Sequence, residues 1–198
     1  MRKVVVTEKV TLDGVMQAPG RPGEDTRGGF SHGGWALPYH DAAKAAAMGG
    51  GVAQAGALLL GRRTYEDFHA VWPLRTDNPF TAFLNGVRKF DASWTLTEPL
   101  PWQNSTLLPG GAADAWPRSS GSRARIWPRS AAANRWPRCW APPCGRAGAA
   151  HPPVGARLGT ALVPRWSAAR SLELDSCAAT STGVIIATYS QPITRRTC

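Results

Sequence analysis

The sequence predicts an α/β protein of three layers, α-β-α, built on a mixed and mostly parallel sheet that finishes in a C-terminal antiparallel hairpin. Residues 1–110 alternate short apolar runs with helical patterns, the rhythm of strands joined by crossover helices. Residues 170–189 hold two strand-like runs around a Ser-Thr-Gly turn, which marks a hairpin added to a sheet edge. The third observation is sufficiency: 198 residues with 43% hydrophobic content can build the core of a single domain spanning 1–198.

The elements follow in order. Val4-Val5-Val6 begins the first strand, because a strand covered on both faces needs a continuous β-branched run. Pro19 to Gly34 is a long glycine-rich loop. Asp41 is placed to cap a helix that runs through the alanines to Met48, and Gly49-Gly50-Gly51 weakens or ends it. Ala57-Leu58-Leu59-Leu60 is a second buried strand. Gly61-Arg62-Arg63 turns directly into a helix beginning near Thr64, with Glu66 and Asp67 favouring its first turn. Pro79 opens another helix as its first residue, and Phe80, Phe83, Leu84 and Val87 share one face of it. Phe90 to Leu96 is a further strand, and Leu172 to Leu174 with Val184 to Tyr189 form the hairpin.

The net charge of +10 points first to a nucleic-acid or anionic-membrane partner. Its distribution changes that reading. Residues 116–166 carry nine arginines and no lysine or acid; without them 14 basic face 13 acidic residues, a net of +1. The basicity therefore belongs to one segment of an otherwise near-neutral chain. No run of about 18 apolar residues occurs, so no membrane-spanning helix is expected. The N-terminus turns polar at Thr7-Glu8-Lys9, too soon for a signal-peptide core, and a cytoplasmic protein is expected. The four histidines and four cysteines are scattered without ligand spacing, and no metal is expected.

Segment 116–166 also holds five of the nine tryptophans and eight of the seventeen prolines, and Trp-Pro-Arg occurs at 116–118, 127–129 and 136–138. Prolines this dense deny backbone donors to helix and sheet. The tripeptide is encoded TGG-CCN-CGN. Read one base earlier it becomes NTG-GCC-NCG, which is Leu, Val or Met, then Ala, then a small residue. Applied from Trp116, that shift permits Val-Ala-Ala-Leu-Lys-Arg-Glu-Pro-Gly-Ala-Asp-Leu-Ala, an amphipathic helix, a turn and the start of a strand, and then Leu-Gly-Ser-Gly-Glu at 130–134. From Gly145 the other shifted frame permits Asp-Glu-Leu-Val-Leu-Leu-Ile-His-Pro and a second Gly-Ser-Gly, before the given frame resumes by Ser167. Three single-base deletions, near codons 115, 143 and 166, produce this pattern. The segment is thus expected to be an aberrant, wrong-frame stretch inside the domain; the alternative is a genuine Arg/Trp/Pro-rich insertion, disordered in isolation.

Val10-Thr11-Leu12-Asp13-Gly14-Val15-Met16, Gly33-Gly34-Trp35, Leu59-Leu60-Gly61-Arg62-Arg63-Thr64-Tyr65-Glu66 and Thr180-Ser181-Thr182-Gly183-Val184 together resemble the bacterial dihydrofolate reductase-family proteins, which share the RibD C-terminal reductase fold. The resemblance covers residues 1–115 and about 167–190. It implies a dihydrofolate reductase-like fold, NADPH as cofactor, and a pterin-, pyrimidine- or ribityl-type small molecule as substrate, as in riboflavin biosynthesis. It also implies that Gly61, Arg62 and Thr64 hold the pyrophosphate side of NADPH. The residues agree: a strand-to-helix turn exposes N–H groups at a positive helix end beside a guanidinium. The plainer alternative is a tight βα turn with a solvated arginine. In similar proteins the loop carrying Asp13 and Gly14 lies against the nicotinamide, where Gly14 allows close approach and Asp13 orients substrate or a proton-relaying water. An ordinary Asp-Gly turn is the alternative. Trp35 is a candidate lining the substrate pocket, or a core plug. The family often forms homodimers.

Two departures stand out. The family's Val-Ser-Arg-Thr is Ala92-Ser93-Trp94-Thr95 here, so Ser93 matches as a cofactor contact, while the arginine that grips the 2′-phosphate is Trp94. Asp91 in a central strand is costly unless paired. Two rival functions remain from the sequence. One is an Arg/Trp-rich nucleic-acid-binding module, with arginines on phosphates and tryptophans stacked on bases. The other is an inactive, frame-damaged product with an unfilled core.

Overall fold

The computed structural model describes residues 4–53, 55–109, 124–127, 144–151 and 171–191. Their strands are β1 (Val4–Thr11), β2 (Ala57–Gly61), β3 (Arg88–Ser93), β4 (Ser105–Pro109), β5 (Ala124–Trp127), β6 (Cys144–His151), β7 (Glu173–Ala179) and β8 (Ile185–Ser190), and their helices α1 (Ala42–Ala53), α2 (Arg62–Val71) and α3 (Phe80–Gly86). The strands form one sheet in the order β4-β3-β2-β5-β1-β6-β8-β7. The first six in that order run parallel, and β8 and β7 close the sheet as an antiparallel hairpin on β6. This is the α/β class that the alternation predicted.

β2 is an uninterrupted buried run. Leu58 and Leu60 pack with Tyr65 of α2, Leu84 of α3, Val87 and Trp102 into the main core. Burying Tyr65 and Trp102 leaves polar atoms to satisfy: the Trp102 backbone N–H donates to the Tyr65 hydroxyl at 2.8 Å, and the Trp102 indole N–H to Asn85 Oδ1 at 2.8 Å. Residues 15–36 carry a second small core of Val15, Ala18, Phe30, Trp35 and Ala36. A loop with its own core is a compact body, not a slack connection.

Several boundaries differ from the sequence reading. α1 does not stop at Met48 but continues through the three glycines to Ala53. A Cβ at Gly49 would lie 3.3 Å from the Phe80 ring, so a close helix approach holds this stretch helical against its propensity. α2 starts at Arg62, not Thr64, because the extended Gly61 is itself the N-cap residue; Glu66 and Asp67 therefore lie beyond the first turn. Pro79 is the residue before α3, and Asn78 Oδ1 accepts the Phe80 N–H at 2.9 Å. β3 covers 88–93 instead of 90–96, since its pairing with β2 runs from Ala57↔Arg88 to Gly61↔Ala92 and the chain turns off after Ser93. β4 was not anticipated; five residues are too few to show a period. β5 and β6 stand where the given frame offered no element, in the two proline-free windows between the prolines at 117, 128, 143 and 152.

Candidate functional site

Parallel strands deliver their carboxyl ends to one side of a sheet, and ligands of open α/β sheets bind there. Four turns meet on that side here. The first follows β1: Thr11 N–H donates to the Val15 carbonyl at 2.8 Å, Gly14 N–H to the Thr11 carbonyl at 2.9 Å, and Val15 N–H to Thr11 Oγ1 at 2.8 Å. Gly14 has φ +88°, a conformation that favours glycine, and Asp13 beside it is exposed. The second is Gly61 to Thr64, between β2 and α2. The third follows β3 at Ser93. The fourth joins β7 to β8, and Ile185↔Ala150 with Thr11↔His151 places it level with the end of β1. It repeats the first turn bond for bond: Thr180 N–H to Val184 O at 2.8 Å, Gly183 N–H to Thr180 O at 3.1 Å, and Val184 N–H to Thr180 Oγ1 at 3.1 Å. The shared spelling Thr-x-x-Gly-Val was the signal for this repeat, and reading the two motifs separately missed it.

At the second turn no side chain caps α2, and the Thr64 hydroxyl, 2% exposed, has no hydrogen-bond partner among the described residues. A helix start without a side-chain cap and a buried orphan hydroxyl both call for an outside partner. Arg62 at the same turn shares its guanidinium with Glu66 at 3.2 Å. Gly61 sits at φ −101°, so its place here is not a matter of torsion. At the third turn the Ser93 hydroxyl oxygen accepts the N–H groups of Thr95 and Leu96, both at 3.1 Å. It is spent on its own turn. Asp91, two residues earlier, is fully buried, and neither carboxyl oxygen has a partner. Desolvation, reinforced by Glu66 and partly opposed by Arg62, pushes its pKa up to about 7.

The loop between β1 and α1 spans this side of the sheet. Its Arg21 forms an ion pair with Asp67 of α2, although β5 separates β1 from β2 in the sheet. Trp35 is 7% exposed in the loop's small core and donates its indole N–H to the Gln17 carbonyl at 2.7 Å. Those are the contacts of a core plug. Gly34, at φ +81°, lets the backbone pack on Pro22: a Cβ there would come within 2.9 Å of its ring.

Sequence reasoning placed Asp41 only as a helix cap. It does accept the Lys44 N–H at 2.7 Å, but its other oxygen accepts the hydroxyls of Ser181 and Thr182 from the fourth turn at 3.0 and 3.3 Å. These bonds, led by the one from Lys44, hold its pKa down at about 2. Lys44 is buried with Nζ donating to the carbonyls of Ala36 and Tyr39, and desolvation, with Lys9 nearby, lowers its pKa to about 8. The end of α1 and the hairpin turn are thereby fastened together. Among the described residues no group of His, Cys, Asp and Glu gathers as a metal site, and no helix is long and apolar enough to cross a membrane.

No protein-family model and no curated protein matches the sequence. Solved structures do match the fold. A protein described as a riboflavin biosynthesis protein from Shewanella sp. PV-4 superposes with a TM-score of 0.64 over 96% of this chain and 98% of its own, at 18% identity. A pyrimidine reductase-like protein from Corynebacterium diphtheriae gives 0.58 over 96% and 91%, at 10% identity. Dihydrofolate reductase from Enterococcus faecalis, a complex with NADP(H), gives 0.57 over 96% and 96%, at 12% identity. The chain shares the fold of these proteins.

Proposed function

We propose that the chain is a reductase of the dihydrofolate reductase and riboflavin-pathway class. Its cofactor is a nicotinamide dinucleotide, NADPH by family resemblance, and its substrate a pterin-, pyrimidine- or ribityl-type small molecule with a C=N or C=O bond to reduce. The observation that carries this reading is the turn at Gly61–Thr64, which pairs a helix start lacking a side-chain cap with a buried orphan hydroxyl at the carboxyl end of a parallel strand. Its residues fit a pyrophosphate: helix N–H groups, Thr64 Oγ1 and Arg62 are donors for phosphate oxygens.

The dinucleotide, when bound, supplies the hydride. The chain's part is orientation. Gly14, lacking a side chain, permits close backbone approach at the end of β1, and the exposed Asp13 is the proposed group for orienting substrate or holding a proton-bearing water. Trp35 contributes to the substrate side through the loop whose core it fills. A cytoplasmic homodimer acting on small molecules, not on nucleic acid, completes the proposal.

One observation favours a second reading, in which this chain is a frame-damaged member of that class. β5 and β6 occupy interior sheet positions, flanking β1 on both sides. Interior strands of parallel sheets favour near-continuous Val, Ile and Leu. Here β6 is Cys-Gly-Arg-Ala-Gly-Ala-Ala-His, whereas the shifted frame permits Leu-Val-Leu-Leu-Ile over residues 147–151. Titrating the full chain and a frame-restored version with NADPH and NADH, followed by nucleotide fluorescence, tests both readings. Binding by both chains supports the first, and binding gained only on restoration supports the second. If the restored protein binds neither nucleotide, the assignment is refuted.

A further inference from the structure

We propose that two copies of this chain pair along the outer edge of β7, the strand of one copy running antiparallel to that of the other about a two-fold axis at Cys177. The inference rests on the homodimer in the reading above and gives it a surface; the reductase chemistry plays no part in it.

The sheet has two edges, β4 and β7, and treats them differently. An edge strand presents a row of N–H and C=O groups to any other strand, and proteins blunt the edges they keep in water. β4 is blunted. Its Leu107 N–H is taken by the Glu98 carboxylate at 2.9 Å, and Pro109, two residues on, has no N–H to offer. β7 carries no such device. All seven of its residues are exposed, and it contains no lysine, arginine or proline. Its one partner strand among the described residues is β8. Asp175 does not guard the edge either, since its carboxylate accepts the Ser190 hydroxyl of β8 at 2.7 Å.

A second copy fits this edge. A row of alternating donors and acceptors is matched by the same row run antiparallel, so a bare edge is complementary to itself about a two-fold axis. The bulge and the acids set the register. The ladder with β8 slips between Leu174 and Ser176 and is regular from Ser176 to Ala179, and a regular stretch is the part that accepts another strand. An axis at Cys177 places Ser176 opposite Ala178, Asp175 opposite Ala179, and Cys177 opposite its counterpart in the second copy. Neither Glu173 nor Asp175 then opposes an acid, whereas an axis at Leu174 or Asp175 would set carboxylates against each other. Because β4 is closed, pairing ends at two copies and does not run on into a filament.

Analytical ultracentrifugation of the full chain over a concentration series, with and without mild oxidant, tests this. A reversible monomer–dimer equilibrium is expected. Directly opposite Cα atoms of an antiparallel pair lie about 5 Å apart, within disulfide reach, so oxidation should link the copies through Cys177, as peptide mapping would show. Cys177→Ser should abolish the link and keep the reversible dimer. Cys177→Lys sets two ammonium groups opposite each other and should weaken association by about ten-fold or more. Cys177 is exposed, so neither substitution threatens the fold, and circular dichroism checks this. The same series on the frame-restored chain, which keeps β7 and β8, separates a failure to fold from a failure to pair. A monomer at every concentration in both chains overturns the proposal, as does a dimer that Cys177→Lys leaves intact or that oxidation links only elsewhere. Nucleotide binding is not read in this experiment, so a monomer that binds NADPH overturns the pairing alone and leaves the reductase reading standing.

Discussion

Asp91 is the residue at which stability and pH are coupled. Its carboxyl is buried without a partner and titrates near 7 in the folded chain, above the ordinary carboxylate value. The folded state therefore holds this proton where the unfolded state has lost it, and stability falls as pH rises from about 4 to about 7. The full cost of the charge is present above that window and absent below it. Asp91→Val should accordingly stabilise the chain by a few kcal/mol at pH 8 and by much less at pH 4, measured by urea denaturation at both values. Equal effects at the two pH values would show that the carboxyl is solvated. Asp41 behaves in the opposite sense: its depressed pKa contributes stability above the ordinary carboxylate range that is lost as pH falls toward about 2. Both residues were visible in the sequence, one as a cap and one as a misplaced charge. The distant hydroxyls of Ser181 and Thr182 on Asp41 were not, because a bond across 140 positions leaves no local pattern.

At the scale of elements, α3 and the β1–α1 loop carry the tests. Lys89 Nζ lies 2.7 to 3.3 Å from three carbonyls at the end of α3 and 4.3 Å from the Trp102 ring centroid. Lys89→Ala leaves those carbonyls without their donor and should cost about 1–3 kcal/mol in chemical denaturation, with a change in tryptophan emission. In the loop, Gly34→Ala forces a side chain into a positive-φ residue against Pro22. A cost of about 1–2 kcal/mol is expected, read as faster proteolysis within 15–36 than within α2. Existence of most elements was legible because apolar runs and their period are local properties. Their ends were not: α1 ran through three glycines under contact from Phe80, and β3 took its bounds from pairing with β2.

The whole molecule turns on β5 and β6, which join the two halves of the sheet. β6 pairs with β1 over eight positions and carries the hairpin on its other edge. If these strands are supplied in the wrong frame, their restoration should convert a broad melting transition into a cooperative one and raise stability by several kcal/mol, since each buried large aliphatic side chain contributes about 1.5–3 kcal/mol. Differential scanning calorimetry of the two chains would measure this. An equally sharp transition in the chain as given, at an equal or higher temperature, would mean that the arginine-rich sequence builds those strands competently.

Fold class, the reductase-like motifs, the Gly-Arg-Arg-Thr turn and the segregation of charge into 116–166 were all legible from the amino-acid order, because each is written in neighbouring residues. What depended on tertiary pairing is that four turns end on one side of the sheet, that Ser93 accepts two N–H groups of its own turn, and that Lys89 turns its Nζ to the carbonyls of Leu84, Asn85 and Val87. Those are facts of register and burial, set by which strands lie side by side, and strand adjacency is a property of long-range pairing that no single stretch of chain contains.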